Sequence, residues 1–103
     1  MHATIGRYEG VDANRTEELT RKVGESLVPR LQKLDGFSGY YLIEAGNGVM
    51  STFGLFQNPT QIDEATKVAA SWVKSEGLES ALPNAPRITT GKVVAQDSRI
   101  AVA

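Results

Sequence analysis

The chain has 103 residues, 41% hydrophobic and 22% charged, with a formal net charge of −1, which is room for one globular domain with one core. Charges of both signs are spread along it, so no basic face is laid out for nucleic acid or an anionic membrane. It contains no cysteine, which excludes disulfides, thiolate nucleophiles and sulfur-ligated metals.

Residues 2–9 alternate, with Ala3 and Ile5 on one face and Thr4 and Tyr8 on the other, and this predicts the first strand. Gly10 and Asp12 break it. Asn14-x-x-Glu17 has the form of a capping box. Leu19, Val23, Leu27, Leu31 and Leu34 then recur at helical spacing, so a helix is predicted over residues 14–35. Pro29 lies within this stripe and removes one backbone donor, which predicts a kink or break near Leu27–Val28. Asp35-Gly36 ends the helix.

Residues 37–45 and 49–57 are β-rich runs joined by Gly46-Asn47-Gly48, the pattern of a hairpin. Both runs are apolar on both faces. Phe37, Tyr41 and Ile43 stand against Tyr40 and Leu42, and Phe53 and Leu55 against Met50 and Phe56. A strand apolar on both sides is covered on both sides.

Asn58-Pro59 opens a second helix over 59–76. Ile62, Ala65, Ala69, Trp72 and Val73 form its inner stripe. Gly77 stops it, and Leu78 to Leu82 leave room for one further turn before Pro83 and Pro86 impose a loop. Residues 87–95 form the fourth strand. One domain is therefore expected over 1–95, followed by a tail at 96–103 that has no partner inside it.

Right-handed crossovers turn this βαββαβ order into a ferredoxin-like α+β sandwich: a four-stranded antiparallel sheet with two helices on one face. The other face is left bare and apolar, to an extent rarely tolerated on a monomer. A homodimer with sheets packed face to face, a dimeric α+β barrel, is the expected solution. No run approaches membrane-spanning length and the N-terminus has no apolar leader, so a cytoplasmic protein without a membrane partner is the default expectation.

Residues that carry chemistry are few. His2 is the sole histidine. It serves as acid or base only if it points into a pocket; the plain alternative is a surface residue at a strand end. Neither converging metal ligands nor a phosphate loop can be found, so no metal and no cofactor is expected. Each strand carries one interior glycine: Gly6, Gly39, Gly54 and Gly91. These mark either the coiling of a barrel-like sheet or missing side chains that leave volume between sheet and helices. In the second case Thr4, Thr52, Thr89, Tyr8, Tyr40 or Tyr41 lines a mixed pocket. Trp72 is a packing residue first and a contact for a planar ligand second. Arg87, at the entrance to the last strand, is either solvated or a partner for an anionic substrate.

Two segments point to a family. Leu34-Asp35-Gly36-Phe37-Ser38-Gly39-Tyr40-Tyr41 resembles the join between first helix and second strand in the antibiotic biosynthesis monooxygenase-like superfamily. Ser71-Trp72-Val73-Lys74-Ser75-Glu76 is similar to the tryptophan–serine segment on that family's second helix. With the element order, the resemblance covers residues 2–95. It implies a dimeric α+β barrel with a ligand cleft between helices and sheet.

The superfamily includes cofactor-independent oxygenases of polycyclic phenols, haem-degrading enzymes and members without known activity. The haem-degrading members have a histidine where this chain has Leu82, and a first-strand asparagine that it lacks. The quinone-forming oxygenases have an asparagine near the position of Val68. What carries over is Trp72 and a second-strand tyrosine.

Two functions are implied. The first is an oxygenase acting on an electron-rich aromatic substrate, which itself passes an electron to oxygen while the protein binds, orients and excludes water. Trp72 with Tyr40 or Tyr41 would position the ring, and His2 or Arg87 would stabilise the anion. The alternative is a non-catalytic dimeric binding or stress-associated module whose cleft holds a hydrophobic small molecule, or nothing. Cleft volume discriminates, because a ligand site needs about 300 Å³ or more of largely apolar space.

Overall fold

The computed structural model describes residues 1–97; of the expected tail, residues 98–103 lie outside the described residues. In chain order the elements are β1 (His2–Tyr8), α1 (Thr16–Lys22), α2 (Val28–Gln32), β2 (Phe37–Gly46), β3 (Val49–Phe56), α3 (Pro59–Ser75) and β4 (Arg87–Lys92). The strands form one sheet in the order β2-β3-β1-β4, with every neighbouring pair antiparallel. This is the ferredoxin-like α+β sandwich. Its core lies between the helices and the inner face of the sheet, where Trp72, Phe56 and Leu78 are the largest fully buried side chains. No helix among the described residues is long and apolar enough to cross a membrane.

The entry to the first helix differs from the expected capping box. Asp12, not Asn14, is the cap: its Oδ1 accepts the Asn14 backbone N–H at 3.0 Å, and Ala13–Arg15 form a 3₁₀ turn ahead of α1. Asn14 is drawn into that turn, so it and Glu17 do not cap one another.

Pro29 does not break the helix. Between α1 and α2 the chain runs through a π-helical turn, Val23–Leu27, and the Val28 N–H donates to the Val23 carbonyl five residues back. The spacing of the apolar stripe explains this turn. Leu19, Val23, Leu27 and Leu31 are each four apart, and each step overshoots an α-helical turn by about 40°. Three steps would carry Leu31 about 120° away from Leu19. The wider turn takes up that excess, and all four side chains are buried on one face. Pro29 enters at the start of α2, where its missing N–H is tolerated.

Phe37 also departs from the simple alternation. The pairing of β2 with β3 shifts register between Phe37 and Gly39, so the extra residue, Ser38, flips Phe37 to the inner face. There its ring meets Phe56 edge-on at 5.7 Å. The hairpin itself is as expected, with Gly46, Asn47 and Gly48 all at positive φ (84°, 54° and 75°). Asn58 caps α3 by accepting the Gln61 N–H at 3.3 Å. Beyond Gly77 one more turn brings Leu78 and Ala81 to complete burial. The last strand is shorter than expected, ending at Lys92.

An ion cluster ties α1 to the end of α3. Glu18 accepts from Arg15 at 2.9 Å and pairs with Lys22 at 3.2 Å. Arg15 also donates to Ser80 Oγ and the Gly77 carbonyl, and Lys22 to the Glu76 carbonyl, placing cations at the C-terminal end of α3. The hydrogen bonds from Arg15 and then Lys22 hold the Glu18 carboxyl down to about 2, from an ordinary 4.5. A depressed folded-state value means that Glu18's contribution is present above pH 4.5 and is lost as pH falls toward 2. A carboxyl-detected NMR titration should find its midpoint in that low range, moving up in Arg15→Ala. A midpoint near the ordinary value in the wild type would remove the cluster from solution.

The outer face of the sheet is bare. Register places Tyr41, Phe53, Ile5 and Thr89 in one row across all four strands. Tyr41 and Ile5 are 49% and 42% exposed, as is Ile43 at 50%, and the Tyr41 and Phe53 rings lie 6.1 Å apart.

Candidate functional site

Between the helices and the inner face of the sheet lies a cavity of about 560 Å³. Its floor is the inward-pointing set of the three longer strands: Thr4, Gly6, Tyr8, Tyr40, Thr52 and Gly54. The roof comes from Leu19, Val23 and Leu27 on the first helix and Ala65, Ala69 and Trp72 on α3. The connection to β4, residues 83–86, forms part of the rim.

Gly6 and Gly54 both face inward on the floor, Ala65 and Ala69 line the opposite wall, and the space beside each glycine is taken by a neighbouring side chain of the sheet. A Cβ at Gly6 would stand 2.8 Å from Thr52 Oγ1, and one at Gly54 would stand 3.1 Å from the Phe56 ring. The other two strand glycines play no part in this. Gly39 and Gly91 share the row of Leu55 and Ala3, on the bare face.

Trp72 is 1% exposed, and its indole Nε1 donates to Ser26 Oγ at 3.0 Å. Ser26 belongs to the π turn, so the helix irregularity supplies the acceptor that a buried indole requires. The ring forms part of the cavity wall with its donor already paired.

Inside, the wall is apolar apart from a few hydroxyls. Burial raises the Tyr40 phenol well above its ordinary value; the neighbouring Tyr8 adds to the rise and a hydrogen bond from Thr52 opposes it. Burial raises Tyr8 as well. Both phenols therefore stay protonated at neutral pH. The other titratable residues of the wall, Lys74 and Glu79, are exposed, and the deep wall carries no carboxylate, imidazole or guanidinium. Among the described residues no cluster of three histidine, cysteine or carboxylate side chains stands close enough to hold a metal ion.

Strand alternation sorts the candidate residues. Trp72, Tyr8, Tyr40, Thr4 and Thr52 converge on the cavity. Tyr41 and Thr89 lie in the outer row with Phe53 and Ile5, and Arg87 pairs with Arg7 on that same face. His2 sits opposite Phe56 and Lys92 at the end of the sheet and is not part of the cavity wall. The structure thus brings one of the two second-strand tyrosines to Trp72 and leaves His2 and Arg87 away from the cavity. Ser26 went unnoticed in the sequence; the signal was the unpaired N–H of a core tryptophan one helix away.

No family profile matches the chain, and no curated protein matches it in sequence. Solved structures do match over nearly the whole length. A protein of unknown function from Nitrosomonas europaea superposes with a TM-score of 0.74 at 16% identity, covering 93% of this chain and 91% of that one. A monooxygenase of Streptomyces coelicolor in complex with nanaomycin D gives 0.66 at 12%, covering 92% of each chain. A dimeric ferredoxin-like protein from an uncultured marine organism gives 0.64 at 14%, covering 95% of this chain and 97% of that one. Proteins described as antibiotic biosynthesis monooxygenases are among the other matches. At these identities the likeness is one of fold, and the chain has the fold of the antibiotic biosynthesis monooxygenase-like proteins that its sequence resembles.

Proposed function

We propose that the chain forms a homodimer that binds an apolar aromatic molecule between helices and sheet, and that it oxygenates an electron-rich one without a cofactor. The cavity carries this proposal: about 560 Å³ exceeds the roughly 300 Å³ that a ligand site needs, and its wall is mostly hydrocarbon. The bare outer face supports the dimer, as does the neighbour described as dimeric. The neighbour crystallised with nanaomycin D supports ligand binding in this fold.

The chemistry asks little of the chain. In an anthrone-type substrate a ring CH₂ and O₂ give a carbonyl and water; the substrate is the reductant, one oxygen atom enters the carbonyl and the other leaves in water. The cavity supplies orientation and dryness. The second reading, binding without turnover, is favoured by the deep wall, which holds no base to take the substrate's proton.

Two measurements separate them. Native mass spectrometry after incubation with anthrone should show one ligand per chain, and an oxygen electrode should show uptake above the buffer blank. Gly6→Val, which fills the floor, should abolish both. Retention without uptake would leave the binding module, and no retention of any flat apolar compound would remove both readings.

A further inference from the structure

We propose that residues 83–86 are a strap gating the cavity, and that a hydrogen bond from Asn84 to the end of β1 is its latch. The gate rests on the cavity being a ligand site; the latch is a property of the empty chain.

The mouth of the cavity lies on the β4 side. Ile88 pairs with Gly6 and lines the cavity, yet it is 49% exposed. Every residue of β4 is exposed, so the helical layer stops short of this edge. The strap leads into that edge, and Pro83, Asn84, Ala85 and Pro86 all line the cavity.

Both ends of the strap are fixed. Ahead of it Leu78 and Ala81 are fully buried, and the Ala81 carbonyl accepts the Asp12 N–H at 3.1 Å. Behind it Arg87 pairs with Arg7 in the sheet. Between these pins the backbone is loose. Pro83 and Pro86 have no N–H to give, and among the described residues neither Asn84 nor Ala85 donates one to another backbone group. A side-chain bond holds the middle: Asn84 Nδ2 donates to the Glu9 carbonyl at 3.1 Å. Gly10 makes room for it. A Cβ at Gly10 would stand 2.6 Å from Asn84 Nδ2, and a φ of 69° already favours glycine there. A span pinned at two ends, with one exposed bond between, opens locally at little cost. Releasing it widens the mouth beside Ile88 while sheet and helices stay in place.

Asn84→Ala and Asn84→Asp both remove the donor at an exposed position. In ligand-free protein the backbone order parameter of Ala85 is expected near the rigid value of about 0.85 in wild type, and below about 0.6 in both variants. Anthracene binding should be followed by stopped flow through Trp72, the single tryptophan and part of the cavity wall. One net hydrogen bond sets the opening population, so association and dissociation should both quicken about threefold to tenfold in the variants. Kd should change less than about twofold, because the latch closes over empty and filled cavity alike.

The same order parameter in wild type and variants would overturn the latch. Unchanged rates with a loosened strap would overturn the gate and leave the cavity a ligand site. So would faster dissociation alone, which would make Asn84 a ligand contact. Should anthracene bind to neither wild type nor variants, the ligand-site reading falls and the gate with it, while the order parameters still decide the latch.

Discussion

Phe53→Asp is expected to convert a dimer into separate chains. Light scattering of the wild type should give about 22 kDa, twice the 11.1 kDa of one chain, and the variant should fall to the single-chain mass. Phe53 is in the middle of the outer row, between Tyr41 and Ile5, with the Tyr41 ring 6.1 Å away. A second sheet packed on this row would bury a carboxylate there without a partner, at a cost of several kcal/mol. In a two-fold dimer the substitution acts twice. The variant's own fold should survive, because Phe53 is only half-buried in one chain and an Asp on that outer face would reach water. A wild type that runs as a monomer would show that the bare face is left to water; a variant that stays dimeric would move the interface elsewhere.

Trp72→Ala should be the most destabilising core substitution, by about 3–5 kcal/mol in urea unfolding. That is a large part of the ~5–15 kcal/mol typical of a domain. The indole joins three things: the inner stripe of α3, the cavity wall and the π turn through Ser26. Trp72→Phe keeps most of the packing and orphans the Ser26 hydroxyl, at about 1–2 kcal/mol. Ser26→Ala should cost a similar amount, and the double variant should cost less than the sum if the 3.0 Å bond couples them. Additive losses would mean that the bond does not form in solution, and a loss under about 1 kcal/mol for Trp72→Ala would mean that the indole is not buried as described.

The fold could be read from the order of patterns because each element carried its own periodicity and punctuation: the Gly46–Gly48 turn, the Asn58 cap, the Gly77 stop. Alternation puts Tyr40 and Tyr41 on opposite faces, but the sequence left open which of them meets the cavity; in the structure it is Tyr40 that lines it. Alternation failed at Ser38, where one bulged residue reverses Phe37, because nothing local distinguishes a bulge from a regular strand. The π turn was not read from the sequence, which put a kink or break at Pro29; the cause lies in the stripe from Leu19 to Leu31, whose spacing by four is too long for an α-helical face. The capping box on Asn14 competed with an equally good Asp12, and only the path of the chain out of β1 decided between them.

The cavity was half visible. Which strand glycines face inward can be read from alternation, but that Gly6 and Gly54 share a cavity wall with Ala65 and Ala69 is a tertiary fact. Arg87 and His2 looked chemical because of their type; the pairing of β4 with β1 sets the one on the outer face and the other at the sheet end.

The cavity as a ligand site is tested most directly by native mass spectrometry of wild type and Gly6→Val after incubation with anthrone or anthraquinone. One bound molecule per wild-type chain, and none in the glycine variant at unchanged oligomeric mass, is the expected result. Bare protein in both samples, or equal retention by the filled variant, would contradict it.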